Sequence, residues 1–305
     1  MALSFTGVYP ILATPFHDDE SLDLESFDRL VRFMADAKVD GITILGVLGE
    51  ANRMLDRERE ALIRCAVAAT SGKLPVIVGA SHSGSRAALG LSQMAQDLGA
   101  DAVMLTPHAE PVPGDDKVLA YYRTVSEGVR IPVVLQDHPA SSGVHMSVAL
   151  MLRIVNELPG IAAIKEEAVP TPPKIRALRE SMSREVPILT GLGALYGQFD
   201  LEAGCSGFNT GFAFPEALTA MVAAARAGDW ARVRQVYQRF LPLIVFEQQP
   251  GVAVRKEILK MRGLIQSSRA RHPGASIQPA VAKQLAELIA ATLPGEDITR
   301  PLKIT

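Results

Sequence analysis

The chain has 305 residues, of which 48% are hydrophobic and 21% charged, and its formal net charge is −2. Such a composition describes an ordinary globular protein with a large core, and the near-neutral balance gives no field for nucleic acid or an anionic membrane. No charged leader and no apolar run of about 18 residues predicts a signal peptide or a membrane span. Cys65 and Cys205 lie far apart with no Cys-x-x-Cys spacing, so they read as reduced thiols of a cytoplasmic protein.

Strand-like apolar runs fall at residues 8–13, 41–45, 75–78, 102–105, 132–135, 161–164, 186–189 and 207–210. Segments of helical period separate them. In the first, Leu24, Phe27, Leu30, Val31 and Met34 share one face, and Asp23 is placed to cap its start. Further helices are expected over 56–69, 85–98, 117–129, 148–158, 172–182 and 194–203. The eighth starts at Pro215 and stops at Gly228. Eight β-then-α units predict an α/β fold, a (β/α)8 TIM barrel over residues 1–228. No Gly-x-Gly-x-x-Gly follows the first run, which disfavours an open dinucleotide-binding sheet. Three more helices are expected at 230–247, 252–262 and 279–293, the first kinked or broken at Pro242. They form a C-terminal helical subdomain over 229–305, with 266–278 as its linker.

The sixth run, Gly160-Ile161-Ala162-Ala163-Ile164, leads straight into Lys165-Glu166-Glu167. A lysine at the carboxyl end of a barrel strand points where the active sites of this fold lie. It could equally snorkel outward and pair with Glu166 or Glu167. Its amine is a nucleophile only when neutral, and burial lowers an ordinary pKa of about 10.4 toward the roughly 7–8 that such enzymes use. A neutral amine can attack a ketone and form a Schiff base, an electron sink for the neighbouring carbon. No His-x-x-x-His pair or acid cluster has ligand spacing, so no metal is expected. No cofactor is expected either.

Other strand ends fall into line with this lysine. They are Ala13-Thr14-Pro15, Gly46-Val47-Leu48-Gly49-Glu50, Thr106-Pro107 and Ile164-Lys165-Glu166, with Gln249-Pro250-Gly251-Val252-Ala253-Val254-Arg255-Lys256 among the C-terminal helices. Together they resemble the dihydrodipicolinate synthase / N-acetylneuraminate lyase family, barrel enzymes that join a lysine to pyruvate or another 2-oxo acid as an imine. The resemblance makes Lys165 the imine-forming residue. It makes the loop 46–50 the receiver of the substrate carboxylate, through backbone N–H groups, with Glu50 holding the loop in place.

The sequence departs from the family pattern where proton transfer is performed. Val47 and Leu48 stand where the family has two threonines. Thr106-Pro107-His108-Ala109 lacks the tyrosines of Thr-Pro-Tyr-Tyr. Gln136-Asp137-His138-Pro139 replaces Tyr-Asn-x-Pro, so Gln136 takes the place of the central tyrosine. A glutamine hydrogen-bonds but is no acid or base near pH 7. Ser141 falls where dihydrodipicolinate synthases proper have a carboxylate-binding arginine.

Two outcomes follow. Either Asp137, His138 and His108 take over proton transfer, or the protein binds an oxo acid without turning it over. The expected catalytic set is Lys165, Gln136, Asp137 and His138. The expected substrate-binding set is Gly46, Val47, Leu48, His108, Ser141, Gly191 and Asn209. The expected partners are a 2-oxo acid and an aldehyde or imine. The apolar Val47/Leu48 pair and the lost cation point away from a strongly anionic second substrate. Resemblance to the family also implies a homotetramer or homodimer.

Overall fold

The computed structural model describes residues 3–112, 114–249 and 251–304, so Pro250 of the 249–256 segment lies outside the described residues. The elements run β1 (Gly7–Val8), α1 (Leu24–Asp36), β2 (Ile42–Ile44), α2 (Asp56–Thr70), β3 (Val76–Gly79), α3 (Ser85–Asp97), β4 (Ala102–Leu105) and α4 (Asp115–Ser126). Then come β5 (Val133–Asp137), α5 (Pro139–Ser142), α6 (Val148–Glu157), β6 (Ile161–Glu166), α7 (Thr171–Ser181), β7 (Ile188–Thr190), α8 (Gly197–Glu202), β8 (Gly207–Phe208) and α9 (Pro215–Arg226). All strands are parallel, in the order β1-β8-β7-β6-β5-β4-β3-β2. A bridge between Ile11 and Thr43 joins the two edges, and the sheet closes into the barrel. Strand one is shorter than its apolar run because Pro10 has no N–H for the ladder; pairing resumes at Ile11, whose N–H reaches Thr210.

Alternation along the strands sorts side chains between two cores. Tyr9, Ile77, Met104, Val134, Ala163 and Leu189 pack together inside the barrel. Val133, Leu135, Ile161, Ile164 and Ile188 face the helices. Period two then sends Gln136 and Lys165 inward and Asp137 and Glu166 outward. The strand register agrees, pairing Gln136 with Lys165 and Asp137 with Glu166.

Beyond the barrel lie α10 (Trp230–Phe246), α11 (Ala253–Met261) and α12 (Pro279–Thr292). Helix α10 runs unbroken through Pro242, against expectation. Buried Phe240, Leu243 and Ile244 flank that proline, and their packing holds the helix across the missing hydrogen bond. Helix α11 supplies Lys256, whose Nζ lies 2.5 Å from Glu50 Oε1 and over the Phe16 ring. Glu50 also takes hydrogen bonds from Arg53 (2.7 Å) and the Arg271 N–H (2.9 Å). The C-terminal helices thereby fix the loop after β2.

Replacing Lys256 with Met leaves the buried Glu50 carboxylate with Arg53 as its remaining cation. Breaking a buried ion pair from one side costs about 3 kcal/mol or more. Urea unfolding of Lys256→Met should show a loss of that size, and a loss under about 1 kcal/mol would remove the pair from the loop's support.

Candidate active site

Lys165 is 1% exposed and points into the barrel mouth from the end of β6. Its Nζ lies 3.0 Å from Glu167 Oε2. The Gln136 amide donates to that same oxygen at 2.7 Å, and the Leu192 N–H donates to Oε1 at 3.1 Å. Gly191 makes room for this carboxylate, because a Cβ there would stand 1.9 Å from Glu167 Oε1. Burial pushes the Lys165 ammonium down from the ordinary lysine value, against the pull of Glu167. Burial by itself would raise Glu167. The Lys165 charge, then His138 and the Gln136 amide, outweigh it and hold the carboxyl below its usual range.

A cavity of about 530 Å³ opens above this trio. Val47 and Leu48 line one part of it, in a short turn (Val47–Gly49) between two residues of left-handed backbone, Leu45 (φ 56°) and Glu50 (φ 55°). Non-glycine residues hold such angles only where their surroundings enforce them. Here Thr14 Oγ1 donates to Gly49 O at 2.7 Å, and Glu50 is locked from below. The leading N–H groups of such a turn have no partner within it and suit a carboxylate. The lining also has polar members, with Gln248, Gln249 and the buried pair Arg255–Glu247 at 2.8 Å. The apolar character expected from Val47 and Leu48 is thus mixed with polar groups. Among the described residues no tyrosine lines this cavity. Tyr121 and Tyr122 lie on α4, and Tyr122 donates to Leu105 O at 2.9 Å.

A buried lysine beside a carboxylate at a barrel mouth is the arrangement of a Schiff-base enzyme. The chain matches the dihydrodipicolinate synthetase family over residues 4–292. It belongs to that family. It is 34% identical over 305 residues to an L-2-keto-3-deoxyarabonate dehydratase of Azospirillum brasilense, covering 93% of this chain and 95% of that protein. A 4-hydroxy-tetrahydrodipicolinate synthase of Nitrosomonas europaea is 30% identical over 278 residues, with 87% and 90% covered. Among solved structures, a dihydrodipicolinate synthase from Rhodopseudomonas palustris superposes with a TM-score of 0.90 at 34% identity, over 95% of this chain and 99% of that one. A prophage protein of the family from E. coli K12, solved in complex with pyruvate, gives 0.87 at 26%, over 94% and 98%. As a dihydrodipicolinate synthetase family member, the chain is an enzyme of the class I aldolase/lyase type.

Against this family frame, the expected site residues separate. Lys165, Gln136, Val47, Leu48 and His138 line the cavity, and His138 Nδ1 is hydrogen-bonded to Ser141 Oγ. Gly46 precedes the loop, and Gly191 acts through the space it leaves for Glu167. Asn209 is buried deeper, at the end of β8. Ser141 sits on the outside of α5, where Ala140 rather than Ser141 lines the cavity. His108 lies beyond Thr106, where the chain turns out over α4. It faces a separate cavity of about 640 Å³ bordered by Tyr121, Lys117 and His145. Burial, then His82, lowers its pKa.

Asp137 also leaves the expected catalytic set on geometry, because it is odd where Gln136 is even. Its carboxylate faces the helix layer and pairs with Lys174 of α7. Lys174 also lies 3.7 Å from Glu166 and donates to Met146 O at 2.7 Å. Two buried carboxylates thus share one lysine. Glu166 is pushed up to about 8, by burial first and then by Asp137. Glu167 is the site residue absent from the expected set. The signal for it was present, since a residue two positions after an inward lysine shares its face.

The raised Glu166 has a defined stability signature. The folded chain holds a proton there that the unfolded chain releases near the ordinary glutamate value. Stability is fully present below that value and is lost as pH rises toward about 8, by at most about 1.4 kcal/mol per pH unit. Urea unfolding of Glu166→Gln should show a flatter profile over this window than the parent. Equal slopes in the two proteins would place the proton elsewhere.

Proposed function

We propose that the protein is a Schiff-base lyase that eliminates water from a 3-deoxy-2-oxo sugar acid, with the imine formed at Lys165. The observation that carries this reading is the 3.0 Å contact between Lys165 Nζ and Glu167 Oε2 in a mouth that no tyrosine lines among the described residues. Glu167 can accept the proton that frees the amine. Lys165 then attacks the C2 carbonyl, and the carbinolamine loses water to give the protonated imine. The substrate carboxylate would sit on the loop of Val47 and Leu48. A base within hydrogen-bond reach of the imine nitrogen is also within reach of the C3 hydrogen, two atoms along. Glu167 takes that proton, and the electron pair runs into the imine to give the enamine. The enamine expels the C4 hydroxyl, which leaves as water with a proton returned from Glu167. Hydrolysis of the unsaturated iminium restores the lysine.

Gln136 holds Glu167 in position, as a hydrogen-bond donor can without titrating itself. The polar rim of Gln248, Gln249 and Arg255 suits a hydroxylated chain, and the A. brasilense relative is named a dehydratase of such an acid. A lysine-biosynthetic role fits less well, because the threonine and tyrosine positions of its proton relay are Val47, Ala109 and Gln136. Aldol cleavage with an aldehyde product is the second reading, favoured by His138 at the mouth beside Glu167, from where an imidazole can reach a C4 hydroxyl. The homo-oligomeric state usual in the family and a cytoplasmic location belong to the same proposal.

Borohydride reduction in the presence of pyruvate should leave a pyruvyl adduct on the peptide containing Lys165. With 2-keto-3-deoxy pentonates, mass spectrometry should find a product lighter by one water and no pyruvate. Pyruvate release would favour the cleavage reading, and a failure to trap any 2-oxo acid would sink both. Glu167→Gln should still form the adduct but lose about 10²–10⁴-fold in kcat. Gly191→Ala, which crowds the Glu167 carboxylate, should show a loss of the same kind measured in the same assay.

A further inference from the structure

We infer that Asn209 and Thr43 hold a water molecule inside the barrel at the level of Lys165, the water that leaves when the imine forms and attacks when it is hydrolysed. This rests on the imine reading above and adds to it the residues that handle water. Asn209 and Thr43 are both 0% exposed. Neither amide atom of Asn209 has a hydrogen-bond partner among the described residues, and neither does Thr43 Oγ1. An asparagine amide offers two donor hydrogens and an acceptor oxygen with two lone pairs, and a threonine hydroxyl offers both functions. Buried groups of this kind are satisfied in native proteins, by protein or by ordered water.

Both side chains face the barrel axis. Ile42 and Ile44 pack into the outer core, so Thr43 between them points inward. Phe208 packs against Gly197 of α8, so Asn209 after it points inward too. Thr43, Lys165 and Asn209 come from β2, β6 and β8. In a (β/α)8 barrel the inward side chains of alternate strands meet in shared layers. Thr106 Oγ1, at the end of β4, is a third inward polar group without a partner among the described residues.

The occupant must be small. Neither Asn209 nor Thr43 lines the open cavity, so a sugar acid in that cavity does not reach them. Below them lie Tyr9, Ile77 and Leu189 of the inner core. A water needs two to four polar partners, and the Asn209 amide, the Thr43 hydroxyl and the Thr106 hydroxyl can supply them. Lys165 chemistry requires such a water. Loss of hydroxide from the carbinolamine carbon, with one proton, yields the imine and one water. The reverse addition at C2 returns the carbonyl and the free amine. Glu167 pairs with the lysine and the water site lies in the lysine's own layer, so proton transfer and water handling fall on different residues. Asn209 and Thr43 are positioning residues that act through the water.

Exchange of the pyruvate carbonyl oxygen in H2(18)O reads this step, because the oxygen lost on imine formation is replaced by label whenever the held water swaps with solvent before it attacks. Pyruvate is the probe and the full-length protein the catalyst. Borohydride trapping of Lys165 measures the equilibrium adduct in parallel. Asn209→Leu should slow catalysed exchange about 10²-fold with the trapped fraction unchanged. Its melting temperature should hold or rise, since an apolar side chain of similar size leaves no unpartnered amide. Asn209→Asp should recover exchange to within about tenfold of the parent. Thr43→Val, which removes only a hydroxyl, should give a smaller loss of exchange and decides the matter if Asn209→Leu does not fold. Unchanged exchange in Thr43→Val and a folded Asn209→Leu would overturn the inference. Loss of the trapped adduct together with exchange would also overturn it, by making Asn209 a contact to the oxo acid. If the parent traps no 2-oxo acid, the imine reading fails and the water site falls with it. If it traps and exchanges, only the variants bear on the water site.

Discussion

The pairing of Lys165 with Glu167 inside the barrel mouth is the constraint around which the site is arranged. A lone ammonium at this depth would surrender its proton or force water in. A lone carboxylate would do the converse. Held 3.0 Å apart, the carboxylate limits the fall of the lysine's pKa while the lysine carries the carboxyl below its ordinary value, and the ammonium remains an acid that the neighbouring carboxylate can deprotonate. Gln136 and the Leu192 N–H complete the carboxylate's hydrogen bonds, so the pair is fixed in orientation as well as in charge. Gly191 is part of the same arrangement, since a side chain there would occupy the carboxylate's place.

The opposite wall depends on residues far away in sequence. The turn of Val47 and Leu48 is bracketed by two strained residues, and Glu50 is tied to Lys256 and to the Arg271 backbone. Helices after the barrel therefore do more than cover apolar surface. They hold the angles of a loop formed some two hundred residues earlier. The same C-terminal stretch contributes Gln248, Gln249 and Arg255 to the rim, so loop geometry and rim chemistry come from one segment.

Much of this was legible in the amino-acid order. Eight apolar runs alternating with helical patterns are enough to name a barrel, because period two and period 3.6 are set by backbone geometry. Lys165 stands out because a charge after four apolar strand residues must be paired or used. Asp137 was misplaced by proximity: it neighbours the lost tyrosine position in sequence, but adjacent strand residues face opposite ways. The alternation that excludes Asp137 also points to Glu167. His108 and Ser141 could not be placed this way, because the chain leaves the strand before reaching them and loop direction has no short period. The partner of Asp137 was equally hidden, since Lys174 lies on a helix 37 residues away.

The barrel wall at β5 and β6 has two polar groups of residues back to back. Gln136, Lys165 and Glu167 face the mouth, while Asp137, Glu166 and Lys174 face the helices. Only the thickness of a backbone separates them, and little water lies between to screen one from the other. The barrel wall thus behaves as a thin dielectric between two charge reservoirs. Glu166 on the hidden side is pushed up in part by the Glu167 charge on the reactive side, so the protonation of one is felt by the other without any atom moving. The proton on Glu166 is consequently a property of both faces of the wall, and a substitution at the mouth can retune a group it never touches.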